Sequence, residues 1–172
     1  DAERQRADGS GMGRISGMQT WLALPDGKEE LPPAFQHVGA DDLPMLRDTG
    51  VEARIIMGSL WGQTAPTTQH AETIYADILL DAGASVPIEA AADERAVLVA
   101  LGDATLDGDA LERHTLYVLA PGQAMTLKAA SDARVMLLGG EAFTTPRHVW
   151  WNFVSSSRDR IRQAGEDWKS GA

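Results

Sequence analysis

Apolar and polar positions after residue 50 follow short runs with strand character, broken by turn residues every eight to twelve positions. This rhythm predicts antiparallel sheet rather than helix. Val51 to Leu60 alternates in part and stops at Gly62. From Thr73 the predicted strands follow closely: Ile74–Leu80, Val86–Ala90, Ala96–Gly102, Ala104–Leu106, Thr115–Leu119, Ala124–Ala129 and Arg134–Leu138. Asp81-Ala82-Gly83, Gly102-Asp103, Pro121-Gly122 and Ser131-Asp132 supply turn chemistry between them. The strongest hairpin signal is Leu106-Asp107-Gly108-Asp109-Ala110, because Asp-Gly suits a turn that needs positive φ. Upstream, Met18–Leu24 predicts a strand ended by Pro25-Asp26-Gly27, Phe35–Val38 a short strand, and Asp41–Pro44 a turn.

The period changes once, near the C-terminus. Ile161, Ala164 and Trp168 recur at three- and four-residue spacing with charged residues between them, predicting a helix from Ser157. Ser155, Ser156 and Ser157 are candidate N-caps, and Ser156 with Asp159 has the spacing of a capping box. The aromatic cluster Trp150, Trp151 and Phe153 precedes it, so the expectation is a helix docked on the β core through Trp168 and Ile161. Residues 1–16 are polar and glycine-bearing and read as a linker, leaving 17–172 as the domain. The fold class is therefore mainly β, an antiparallel barrel or sandwich of jelly-roll kind with a C-terminal α-helix.

Composition narrows the function classes. The 172 residues are 44% hydrophobic, enough for one sizeable core or two small ones. No apolar run reaches membrane-spanning length, and the polar start lacks the apolar core of a signal peptide. The absence of cysteine excludes disulfides, thiolate zinc sites and a Cys nucleophile, and fits a cytoplasmic location. A net charge of −10 with scattered basic residues argues against direct nucleic-acid binding.

Candidate chemistry is sparse. His70 and Glu72 would share one face of a strand, but sequence supplies no third metal ligand. The rival reading is a polar loop before Ile74. His37 reads as a partly exposed strand residue, His114 as surface, and His148 as bonded to backbone near the aromatic cluster. Ser155, His148 and Asp159 form a triad only on paper. The serine run is better used as a cap, and no Gly-x-Ser-x-Gly elbow is present. The glycine-rich stretches lack nucleotide-binding spacing.

The order Gly83, strand, Gly102, strand, Pro121-Gly122, strand resembles the punctuation of a cupin barrel. That resemblance implies a divalent metal held by His-x-His, an acid, and a His after the Pro-Gly turn. Here the corresponding positions carry Glu89, Ala91, Glu94 or Arg95, and Met125, so no metal is expected in this barrel. Three longer blocks resemble the pirin family: Gly17–Pro25 followed by Pro33–His37, Leu137–Ala142, and Arg147–Trp168 with its Trp-Trp-Asn-Phe-Val-Ser-Ser wording.

Pirins are two-cupin proteins whose N-terminal cupin holds a metal, usually iron, through three His and one Glu. The resemblance places Glu3 at the glutamate position as a metal ligand, while Asp1 stands where a histidine belongs. It implies that the chain corresponds to the C-terminal cupin, without a cofactor of its own. The implied role is structural or partner-binding, with an N-terminal cupin, a second copy or another protein as partner. The alternative is quercetin 2,3-dioxygenase-like oxidation at iron or another divalent metal once an N-terminal cupin completes the site.

Overall fold

A computed structural model describes residues 17–171. Residues 17–44 carry turns but no regular element. Strands β1 (Met45–Asp48), β2 (Val51–Met57), β5 (Thr73–Leu80), β7 (Glu94–Leu101), β10 (Leu116–Val118) and β12 (Ala133–Gly140) build a six-stranded antiparallel sheet in the order β1-β2-β5-β12-β7-β10. A four-stranded sheet, β6-β11-β8-β9, is made by β6 (Ser85–Ile88), β11 (Met125–Ala129), β8 (Ala104–Leu106) and β9 (Asp109–Leu111). Two small hairpins complete the β structure: β3 (Ser59–Leu60) with β4 (Gln63–Thr64), and β13 (His148–Trp150) with β14 (Phe153–Ser155). Helix α1 spans Arg158–Ser170.

The core lies between the two sheets, and strand alternation decides its membership. Val51, Ala53 and Ile55 of β2, Ala76, Ile78 and Leu80 of β5, and Val97 and Val99 of β7 enter it from the larger sheet. Val86, Ile88, Ala104, Leu106, Leu127 and Ala129 meet them from the smaller one. The Asp-Gly hairpin forms as expected: Leu106 pairs with Asp109 across Asp107 (φ +50°) and Gly108 (φ +97°). Gly58 breaks the run read as one strand from Val51 to Leu60. Its φ is +86°, and a Cβ there would collide with the carbonyl oxygen of Thr73. The chain therefore turns out of β2 at Gly58 and starts the β3–β4 hairpin.

Two sequence expectations fail in the N-terminal stretch. Met18–Leu24 and Phe35–Val38 are not strands among the described residues. A strand needs a ladder partner as well as β-prone side chains, and these segments have none. Trp21 is 56% exposed and Phe35 91%. The helix is present, but its docking differs. Trp168 is 60% exposed and meets the edge of Trp151 at 4.9 Å, while the buried helix residue is Gly165. Helix α1 rests on the β13–β14 hairpin, where a Cβ on Gly165 would sit 3.3 Å from the Trp150 ring. Its N-cap is Ser157, whose Oγ accepts the Arg160 N–H, not Ser156. Gly171 closes the helix in the left-handed region.

Candidate functional site

The site that a barrel of this kind offers is its interior mouth, where β6, β7 and the Pro121-Gly122 turn converge. Alternation along β7 points Arg95, Val97 and Val99 inward and leaves Glu94 exposed. Arg95 is 3% exposed. Its guanidinium donates to the carbonyls of Glu89, Ala120 and Gln123 at 2.7 Å each, and to Ile88 at 3.5 Å. Four of its five N–H groups are thus used, and the fifth, on Nε, has no partner. No carboxylate within ion-pair distance balances this cation among the described residues; four carbonyl dipoles do so instead.

A divalent metal implied by the barrel's frame does not fit these residues. Glu89 and Ala91 are exposed, Glu94 faces away from the interior, and Met125 offers a thioether packed against the core. Where an acid ligand would enter, Arg95 brings a fixed positive charge, which repels a second cation in a medium of low dielectric. No cluster of three or more His, Asp and Glu side chains suited to a metal occurs among the described residues. Glu3, the one ligand carried over from the family, lies outside the described residues.

The histidines separate in the same way. His70 and Glu72 are exposed and precede β5 rather than lying on it, so the polar-loop reading holds. His37 is exposed on a loop, not a strand, and His114 is exposed at φ +62°, its N–H donating to Val99. His148 and Ser155 are register partners across β13 and β14. Asp159 does not join them: its side chain is 85% exposed and pairs with Arg162 at 2.9 Å. The Ser155 Oγ accepts the Ser157 N–H, a local turn bond.

A second constellation escaped the sequence reading. The Arg147 side chain, 9% exposed, reaches back to the Leu24 carbonyl at 2.8 Å and the Asp26 carboxylate at 2.7 Å. It also bonds the Thr145 carbonyl, lies 3.3 Å from Glu29, and stands 4.3 Å over the Phe143 ring. Glu29 accepts the Ser156 N–H at 2.7 Å just ahead of the helix start, where negative charge is favoured. The Thr145 hydroxyl bond to Asp26, assisted by Arg147, holds the Asp26 carboxyl below its usual range. Next to this clasp lies a cleft of about 570 Å³ lined by Leu22, Val118, Leu138 and Phe143, with Gly139 and Gly140 also in its wall. Val118 is 78% exposed on β10, an edge strand. Among the described residues no helix is long and apolar enough to cross a membrane.

Comparison with known proteins follows the same architecture. The family model described as the pirin C-terminal cupin domain matches residues 75–172. A pirin-like protein of Caulobacter vibrioides is 41% identical over 160 residues, covering 92% of this chain and 55% of that protein. A pirin-like protein of Solanum lycopersicum is 26% identical over 170 residues, covering 94% of this chain and 58% of its own length. The crystal structure of quercetin 2,3-dioxygenase from Acinetobacter baumannii superposes with a TM-score of 0.80 at 30% identity, covering 88% of this chain and 50% of that one. The chain spans about half the length of the curated relatives it matches.

Proposed function

The chain belongs to the pirin family, and from that premise we propose that it serves as a metal-free C-terminal cupin that works by packing and by binding protein partners. The observation that carries this reading is Arg95. A barrel whose mouth is held by a guanidinium on four carbonyls has its cation built in, and its interior is filled by aliphatic side chains. Such a core stabilises; it does not bind oxygen or substrate. The work then falls to the surface. The cleft is lined by Leu22, Val118, Leu138 and Phe143 together with the charged Glu72, Glu94 and Glu141, and with exposed Leu116 on the same edge strand it offers a largely apolar face of the sort that docks against another domain. An N-terminal cupin or a second copy is its proposed occupant.

Quercetin 2,3-dioxygenase-like oxidation is the second reading. It is favoured by the 30% identity to the Acinetobacter baumannii enzyme. In this reading the activity resides in a complete two-cupin protein, where iron or another divalent metal would supply the oxygen chemistry. This chain's contribution would be the packing face. The 172-residue chain studied alone is expected to self-associate through that face. Multi-angle light scattering should show a mass that rises with concentration, and Val118→Lys should lower it toward the monomer. A strict monomer at high concentration would remove the packing role.

A further inference from the structure

Apart from the cleft and the barrel mouth, the structure holds a groove between helix α1 and the β13–β14 hairpin. We propose that this groove receives an extended acidic segment of a partner protein, an inference that rests on the partner-binding reading and names a surface for it. Its volume is about 340 Å³, and Trp150 forms one wall while Arg158, Arg162 and Lys169 line the other with Ile161. Gly165 sits midway along that helix face, and the missing side chain lets the Trp150 ring approach the backbone and leaves the groove open. Trp150 remains 46% exposed and stacks on Phe153 at 6.1 Å, so a rigid aromatic surface faces the groove.

Charge selects the occupant. The whole chain carries −10, yet this groove is lined by three cations and one acid, Glu166. Arg162 is shared with Asp159, while Arg158 and Lys169 have no ion-pair partner among the described residues. A positive stripe on an acidic protein steers acidic ligands to one place. Length selects it further. Arg158 and Lys169 are eleven residues apart on the helix, about 16 Å at 1.5 Å per residue. That matches roughly five residues of extended chain, which is longer than a single aromatic acid. A peptide with carboxylates at both ends and an apolar residue between them would meet the two cations and lay its apolar side chain on Trp150 and Ile161.

The probe is a fluorescein-labelled, end-capped peptide of alternating glutamate and leucine, with the lysine–leucine version as its counterpart. Binding is read by fluorescence anisotropy and by the shift in tryptophan emission. The acidic peptide is expected to bind more weakly as salt rises, and the R158E/K169E double variant should lose at least tenfold in affinity. K128E, at an exposed position of β11, should lose nothing. Circular dichroism checks that the double variant keeps its helix. The proposal is overturned if the lysine peptide binds as tightly, or if R158E/K169E binds the acidic peptide unchanged. It is also overturned if light scattering shows the groove filled by a second copy, through a dimer that the same reversal dissociates. A chain that refuses the acidic peptide yet retains no metal sinks the groove alone and leaves the metal-free reading standing.

Discussion

Arg95→Met is expected to lower the stability of the domain by about 3 to 5 kcal/mol, the largest effect of any single side chain in the barrel mouth. The physical reason is an asymmetry in hydrogen bonding. The substitution leaves the carbonyls of Glu89, Ala120 and Gln123 without the donor that now meets each at 2.7 Å. These carbonyls are part-buried, so each left unpaired costs up to about 1 to 3 kcal/mol, offset in part by the apolar side chain and by water that enters. Because domains of this size melt about 2 to 4 °C lower per kcal/mol, the melting temperature should fall by roughly 6 to 20 °C. Arg95→Lys should fall between wild type and Met, since a single ammonium lacks the planar fork that spans two chain segments. Thermal unfolding followed by circular dichroism measures both. A shift of only a degree or two for Arg95→Met would show that the guanidinium does not hold the mouth.

The second large effect is local rather than global. Arg147→Met removes the side chain that gathers Leu24, Asp26 and Glu29 onto the segment ahead of the hairpin, leaving there the Thr145–Asp26 bond. Its two charge-assisted bonds to the Leu24 carbonyl and its contact with the largely buried Glu29 carboxylate contribute about 2 to 4 kcal/mol, and the exposed Asp26 contact is left out of that figure. Residues 24–31 should then open independently of the sheets. Hydrogen exchange at the Lys28 and Leu31 amides, which bond Pro25 and Lys28 carbonyls, should speed up by on the order of tenfold or more. Amides of β5 and β12 should be unchanged. Equal acceleration in those strands would contradict a local clasp. Acid should loosen the same segment in the wild type. The Asp26 carboxyl is held below its usual value of 3.8, so its contribution is present above that pH and is lost as pH falls through the lower folded value.

Much of the barrel was legible because alternation and turn chemistry are local. The strands from Thr73 to Gly140 emerged within a few residues of their sequence bounds, and Asp107-Gly108 turned where expected. The inward course of Arg95 was also available in principle: it shares parity with Val97 and Val99, and a charge on the core-facing parity of a strand signals a buried network. What stayed hidden depends on distant partners. Nothing local in Arg147 announces Asp26 or Leu24, more than a hundred residues away.

The β13–β14 hairpin was obscured for a different reason. Its two-residue turn is Trp151-Asn152, with Trp151 at φ +51°, and no glycine marks it. Trp150, Trp151 and Phe153 therefore read as one aromatic cluster, and the helix beyond it reads as docked on the core. Gly165 is the residue that settles the packing, yet a glycine inside a helix carries no hydrophobic signal at all.

A barrel mouth closed by Arg95 needs no metal. The purified 172-residue chain, equilibrated with iron(II) or nickel(II) and desalted, should retain no stoichiometric metal by elemental analysis, and its melting temperature should be the same with and without a chelator. One tightly held metal per chain, lost together with thermal stability on chelation, would contradict a mouth closed by Arg95.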